Sequence, residues 1–178
     1  SVLAANLKFE GRLILQAQGE GDVTLLMAEC NHNQELRAIA RFEGELPEQA
    51  RFIDLLQKGR MAITIDPLKG QRYQGVVPLE GDTLGKCLEA YFGQSEQLPT
   101  QMHFCADDER AAGFLLQVLP VEGTAEEDWG RISHLASTLK DEELLELDNE
   151  TLLYRLFHEE NCRLFEADTI QFRCDCSR

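Results

Sequence analysis

Over the first two thirds of the chain, apolar residues recur at every second position. Leu7, Phe9, Leu13, Leu15 and Ala17 alternate with polar neighbours up to Gly19-Glu20-Gly21. Val23, Leu25 and Met27 resume the alternation, Asn31-His32-Asn33 interrupts it, and Leu36, Ala38, Ala40 and Phe42 carry it on. Period-two patterning of this kind predicts antiparallel strands with one buried and one solvated face. Gly44 to Glu48 reads as a loop, and Phe52-Ile53 with Leu55-Leu56 as a short helix ending near Gly59. Met61, Ile63 and Ile65 predict another strand, turned by Asp66 to Gly70 into one that starts at Tyr73. Gly81-Asp82 then turns the chain and places Asp82 to cap a helix. In that helix Leu84, Cys87, Leu88, Tyr91, Phe92 and Ser95 follow the i, i+3, i+4 spacing of a buried face, and Pro99 is expected to end it. Met102 to Cys105 and Phe114 to Leu119 predict a hairpin. Strands and helices in this order imply an α+β fold with an antiparallel-sheet core, not alternating βαβ units.

At Pro120 the period changes to that of helices. Thr124 with Glu127 fits a capping box, followed by Trp129, Ile132, Leu135, Ala136 and Leu139 at helical spacing. Asp141 is placed to cap a second helix carrying Leu144, Leu145 and Leu147, and Asn149 a third carrying Leu152, Leu153, Leu156 and Phe157. Isolated helices shorter than about 12–15 residues are marginal in water, so these three need the core, each other or a second chain. Leu164-Phe165 and Ile170 to Arg173 predict two short strands leading into Cys174. The expected organisation is a core over 1–121, a helical linker over 122–168 and the start of a further domain over 169–178.

Charge sharpens this division. The chain has 178 residues and a net charge of −15. Between Glu122 and Asp168 fourteen acids face four bases, so the helical stretch carries most of that charge. Such a surface repels nucleic acid and anionic membranes, and neither is expected as a partner. No apolar run approaches the roughly 20 residues of a membrane span. The length suffices to bury a core without disulfides or metal. Of six cysteines, Cys30, Cys87 and Cys105 stand singly among apolar neighbours, where a thiol behaves as a small hydrophobe. Their spacing is not that of a secreted disulfide framework, and a reducing cytoplasm is the expected compartment.

Cys174-Asp175-Cys176 is the constellation with chemical weight. In an extended segment residues i and i+2 point the same way, so two thiolates can meet one soft cation. A closed structural zinc site needs four ligands. The enzyme signals are thin. Gly81 to Cys87 imitates a phosphate loop but is one residue short and ends in Cys, and His158-Glu159-Glu160 has no second histidine at metalloprotease spacing. His103 and Cys105 lie two apart on one expected strand, a thin signal for a nucleophile pair without an orienting acid. No catalytic residue is assigned and no enzyme is expected.

RYQGVVPLEGDTLGKCLEAYFGQSEQLPT, from Arg72 to Thr100, resembles the most recognisable segment of the heat-shock protein 33 family, the redox-regulated holdase chaperones. FRCDCSR, from Phe172 to Arg178, is similar to that family's first zinc-binding pair. Matches at LKFEG from Leu7, LLQVLP from Leu115 and RLFHEE from Arg155 extend the resemblance along the chain. The resemblance implies a cytoplasmic, ATP-independent holdase that binds unfolding proteins under oxidative stress. It makes Cys174 and Cys176 half of a four-thiolate zinc site completed by a downstream C-x-x-C pair. It also implies a helical segment upstream of Ser1. The second pair does not occur up to Arg178, so zinc is expected in the intact protein and not on these 178 residues. Oxidation to disulfides would release zinc and unfold the linker. The candidate client-binding residues are then Leu135, Leu139, Leu144, Leu145, Leu152, Leu153, Leu156 and Phe157, each of which ordinary helix packing also requires. A homodimer is expected. The competing readings are a zinc-stabilised interaction module without redox switching and, more weakly, a thiol-dependent enzyme.

Overall fold

The alternating segments become strands in a computed structural model that describes residues 1–5, 10–47, 50–119 and 126–174. They are β1 (Gly11–Gly19), β2 (Val23–Asn31), β3 (Glu35–Phe42), β4 (Gly59–Pro67), β5 (Tyr73–Pro78), β6 (Thr100–Ala106), β7 (Ala111–Gln117) and β8 (Gln171–Phe172). The helices are α1 (Val2–Ala5), α2 (Phe52–Leu56), α3 (Leu84–Tyr91), α4 (Glu126–Ala136), α5 (Asp141–Glu146) and α6 (Asn149–Phe157). The chain forms two compact units, 1–87 with 168–178, and 88–167, with the division inside α3. The fold is α+β with an antiparallel-sheet core, as the patterning predicts.

In the first unit six strands run in the order β5-β4-β1-β2-β3-β8. All neighbours are antiparallel except β3 and β8, which are parallel. Register sets Leu13, Leu15 and Ala17 between Ile65, Ile63 and Met61 on one side and Cys30, Ala28 and Leu26 on the other. That face holds the unit's most buried sheet residues, Ala17, Met61 and Ile63. The opposite face is polar, and Arg12 there bridges Glu29 (3.2 Å) and Asp66 (2.9 Å) while Arg37 reaches Glu29 (3.1 Å). Close backbone approach joins α2 to the sheet. A Cβ on Gly19 would lie 2.3 Å from the Leu56 carbonyl oxygen, and that oxygen accepts from the Glu20 and Gly21 N–H groups.

One strand departs from the expected phase. Val23, Leu25 and Met27 do not share a face, because a bulge between Val23 and Leu25 shifts the register. Leu26, Ala28 and Cys30 take the apolar face instead, and Leu25 and Met27 stand opposite Gln18 and Gln16. One inserted residue is enough to exchange every later side chain between faces. Leu7 and Phe9 of the first expected strand lie outside the described residues.

Helix ends also differ in detail. The Thr83 hydroxyl, not Asp82, accepts from the Lys86 N–H (3.2 Å) at the start of α3. That helix continues as a π-helical turn over Phe92–Glu96 and ends at Gln97, whose left-handed backbone (φ 54°, ψ 30°) stops it before Pro99. The wider π turn rotates later residues off the i+3, i+4 stripe, and Ser95 is exposed, not buried. Asp148, not Asn149, caps α6 by accepting from the Thr151 N–H (2.9 Å). Asp141 is the first residue of α5, not its cap, and Glu143 reaches back to accept from the Lys140 N–H (3.0 Å). Thr124 of the expected capping box lies outside the described residues. Leu164-Phe165 forms no strand; the pair has no partner strand and is exposed, and only Gln171–Phe172 pairs, as β8.

The second unit joins the β6–β7 hairpin to α4, α5 and α6. Asp107 closes the hairpin by accepting from the Glu109 and Arg110 N–H groups (2.9 and 2.6 Å). Ala136, Leu139, Leu152, Leu156 and Phe157 form its buried cluster, with Phe114 and Leu116 of β7 packed against it. The Phe114 and Phe157 rings stack at 6.5 Å. Arg155 ties the helices together through Glu143 and the Thr138 hydroxyl (3.0 Å), and Arg131 pairs with Glu160.

Candidate functional site

Two regions carry the residues singled out from the sequence. In the tail, Cys174 is exposed two residues beyond β8. Its predicted companion Cys176 lies outside the described residues. Among the described residues no three His, Cys, Asp or Glu side chains converge as a metal site would require. The donor chemistry of Cys174 and Cys176, two thiols separated in sequence by one residue, nonetheless suits a thiophilic cation.

In the helical unit, the eight candidate client-binding residues separate by burial. Leu139, Leu152, Leu156 and Phe157 are buried in one cluster. Leu135, Leu144 and Leu153 pack against it half-buried. Leu145 is also half-buried. Its carbonyl accepts from the Arg110 guanidinium (3.1 Å), which binds α5 to the hairpin turn. The three helices thus hide one continuous apolar surface among themselves and against β7.

The same unit brings together groups that the sequence held apart. The acid that meets His103 is Asp141, 38 positions away, whose carboxylate oxygen lies 2.6 Å from His103 Nε2. Cys105 Sγ donates to the Asp141 carbonyl oxygen at 3.7 Å. This resembles a thiol triad in outline only. Burial pushes the Cys105 thiol up, and the carboxylates of Asp141 and Asp107 add to the shift. Burial likewise raises Cys87, with Asp82 contributing. A nucleophilic cysteine needs the opposite shift.

Sequence reasoning missed one surface in the first unit. A groove of about 340 Å³ opens on the apolar face of the sheet, lined chiefly by Leu15, Ala17, Leu26, Ala28, Ala38 and Ala40. The signal was present as small residues: Ala28 and Ala38 are cross-strand partners, and Leu26 faces Ala40. Alanines side by side leave a hollow that larger residues would fill.

Comparison with known proteins agrees with this architecture. A family model described as Hsp33 protein matches residues 1–178. The 33 kDa chaperonin of Ectopseudomonas mendocina is 51% identical over 184 residues, covering 100% of this chain and 62% of the relative. That of Shewanella denitrificans is 49% identical over 178 residues, again covering 100% of this chain and 62% of the relative. The chain therefore spans about three fifths of the length of these curated relatives. The crystal structure of the 33 kDa chaperonin of Thermotoga maritima, 22% identical, superposes with a TM-score of 0.83 over 99% of this chain and 64% of that one. That likeness is one of fold. Because the family model spans every residue and about half of them are shared with these chaperonins, the chain belongs to the Hsp33 protein family.

Proposed function

We propose that these 178 residues are the core and helical linker of an ATP-independent holdase chaperone that binds unfolding proteins under redox control. The observation that carries this reading is the match to the 33 kDa chaperonins along the whole chain at about half identity. The helical unit supports it physically. Its helices have 11, 6 and 9 residues, lengths at which a helix depends on packing more than on its own propensity. A structure held by packing of short elements opens at low cost, and opening it would uncover Leu139, Leu152, Leu156 and Phe157 together. Leu135, Leu144, Leu145 and Leu153 complete the proposed client surface.

Cys174 and Cys176 would supply two of four thiolates to a zinc ion in the intact protein, the others coming from residues beyond Arg178. Bound zinc supplies folding energy and keeps its thiolate ligands deprotonated and open to oxidants. The exposed position of Cys174 suits that role, since an oxidant must reach the sulfur. The protein is proposed to act in the cytoplasm as a homodimer and without catalysis. The raised Cys87 and Cys105 thiols favour that last point over a thiol enzyme. Among the described residues no helix is long and apolar enough to cross a membrane.

The test is aggregation suppression by the full-length protein, reduced and peroxide-oxidised, against a chemically unfolded client without nucleotide. Oxidised protein should protect at near-stoichiometric ratio and reduced protein should not. Protection in neither state would replace this reading with an inert zinc module.

A further inference from the structure

The turn between β2 and β3 is built more firmly than a connecting loop requires. The Gln34 N–H closes it on the Asn31 carbonyl oxygen (3.1 Å), with Gln34 in the left-handed region at φ 57°. Its side chain is buried and accepts from the Cys30 thiol at 3.7 Å. Asn31 Oδ1 accepts from the N–H groups of Asn33 and Glu35, both at 3.0 Å. Asn31 Nδ2 donates to Glu35 Oε2 at 2.7 Å. The Glu35 carboxylate is therefore held in place before any partner arrives.

Beside it runs the outer edge of β3, whose carbonyl groups need donors. The Gln34 and Leu36 carbonyl oxygens accept from the N–H groups of Gln171 and Arg173, both at 3.0 Å. Arg173 Nη1 donates to both Glu35 oxygens, at 2.7 and 2.9 Å. Apolar burial contributes little, because Phe172, the apolar residue of β8, is 76% exposed. The strand is held chiefly by polar contacts at a site shaped to receive an arginine, and Cys174 is the next residue along.

We infer that the β2–β3 turn is a seat for the cysteine-bearing tail, in which Glu35 selects Arg173 and β8 attaches and detaches as a reversible edge strand. The occupant is the chain's own segment around Gln171–Arg173. Detachment would bare the β3 edge and free Cys174 from the core, so the tail's position reaches the six-stranded sheet through this pairing. The inference goes beyond the chaperone reading and stands whatever chemistry the cysteines perform.

Amide hydrogen exchange at Gln171 and Arg173 in the full-length protein tests it independently of chaperone assays. In the parent both amides should exchange roughly tenfold more slowly than in an unstructured chain, in line with one modest hydrogen bond each. Glu35→Arg and Arg173→Glu should each abolish the protection, and the double exchange should restore it. Should Glu35→Arg disturb the turn itself, seen as lost protection within β2 and β3, Arg173→Ala decides alone, because it lies in the exposed tail. Unprotected amides in the parent, singles that exchange like the parent, or a double exchange no better than the singles would each overturn the inference. Protection that rises with protein concentration would overturn the assignment to the chain's own tail and give the seat to a second copy.

Discussion

Among the described residues three other than glycine adopt positive φ, and two of them illustrate different uses of the same strain. Gln97 ends the helical stretch after α3 in left-handed geometry with an exposed side chain. Gly is the residue that such a cap favours, since it has no Cβ to strain. Gln97→Gly should stabilise by roughly 0.5–1 kcal/mol, read as a rise of about 2 °C in the thermal midpoint. Gln34→Gly should not stabilise, because it removes a buried side chain that accepts from Cys30. Capping carboxylates govern the acid response. The Thr151 N–H and hydroxyl hold the Asp148 carboxyl below the usual carboxylate range, and the Glu109 and Arg110 N–H groups do the same for Asp107. A depressed folded-state pKa gives stability that is present above the unfolded-state value and lost as pH falls through the folded one. Thermal midpoints should therefore drop from about pH 5 downward, and Asp148→Asn, which keeps a capping oxygen without the titration, should flatten part of that slope. An unchanged slope would remove Asp148 from the account. Capping residues were legible in the sequence only to within one position. Asp148-Asn149 and Asp82-Thr83 are neighbouring pairs in which both members can cap, and the choice depends on where the backbone turns helical.

Among the elements, period two identified β1, β3 and β4 with their faces, because the alternate apolar residues of each register together on one side of the sheet. It failed on β2 for a definite reason. The run Val23 to Cys30 contains apolar residues on both phases, Leu25 and Met27 against Leu26, Ala28 and Cys30, and the bulge that chooses between them leaves no mark in composition. β8 was expected as a strand over Ile170 to Arg173, but its place at the edge of β3 was not legible, since the ion pair that accompanies it joins Glu35 to Arg173 across 138 positions. The helical elements were easier, as α4 and α6 present stripes that bury together. Their burial makes a graded prediction. Leu156 is buried within the cluster, whereas Leu145 is only half-buried. Leu156→Ala should cost about 2–5 kcal/mol in equilibrium unfolding, and Leu145→Ala clearly less. Equal losses would mean that α5 is packed as tightly as α6, and the case for an easily opened helical unit would weaken.

At the scale of the whole chain, family membership was readable from two motifs in order, Arg72 to Thr100 and Phe172 to Arg178, while the groove on the sheet and the tail seat needed tertiary register. The division into two units has a consequence for stability. The first unit holds a six-stranded sheet whose interior strands β4, β1, β2 and β3 each pair on both edges. The second holds a two-stranded hairpin and three short helices around one apolar cluster. Sheets with many mutually supported strands resist local opening, whereas short helices joined by a few apolar contacts lie at the low end of the stability range within a protein. The chain's single tryptophan, Trp129, sits in α4 and so reports the second unit alone. Urea unfolding followed by Trp129 fluorescence should therefore precede the transition of amides in β1 and β4 followed by hydrogen exchange. The proposed client surface requires that order, because its apolar helix faces would have to become available while the rest of the chain stays folded. Coincident transitions would mean one cooperative structure, and exposure of Leu152 and Leu156 would then require global unfolding. In that case the proposed client surface must be sought on the folded chain, where the groove along Leu15, Leu26 and Ala38 is an apolar site open without any unfolding.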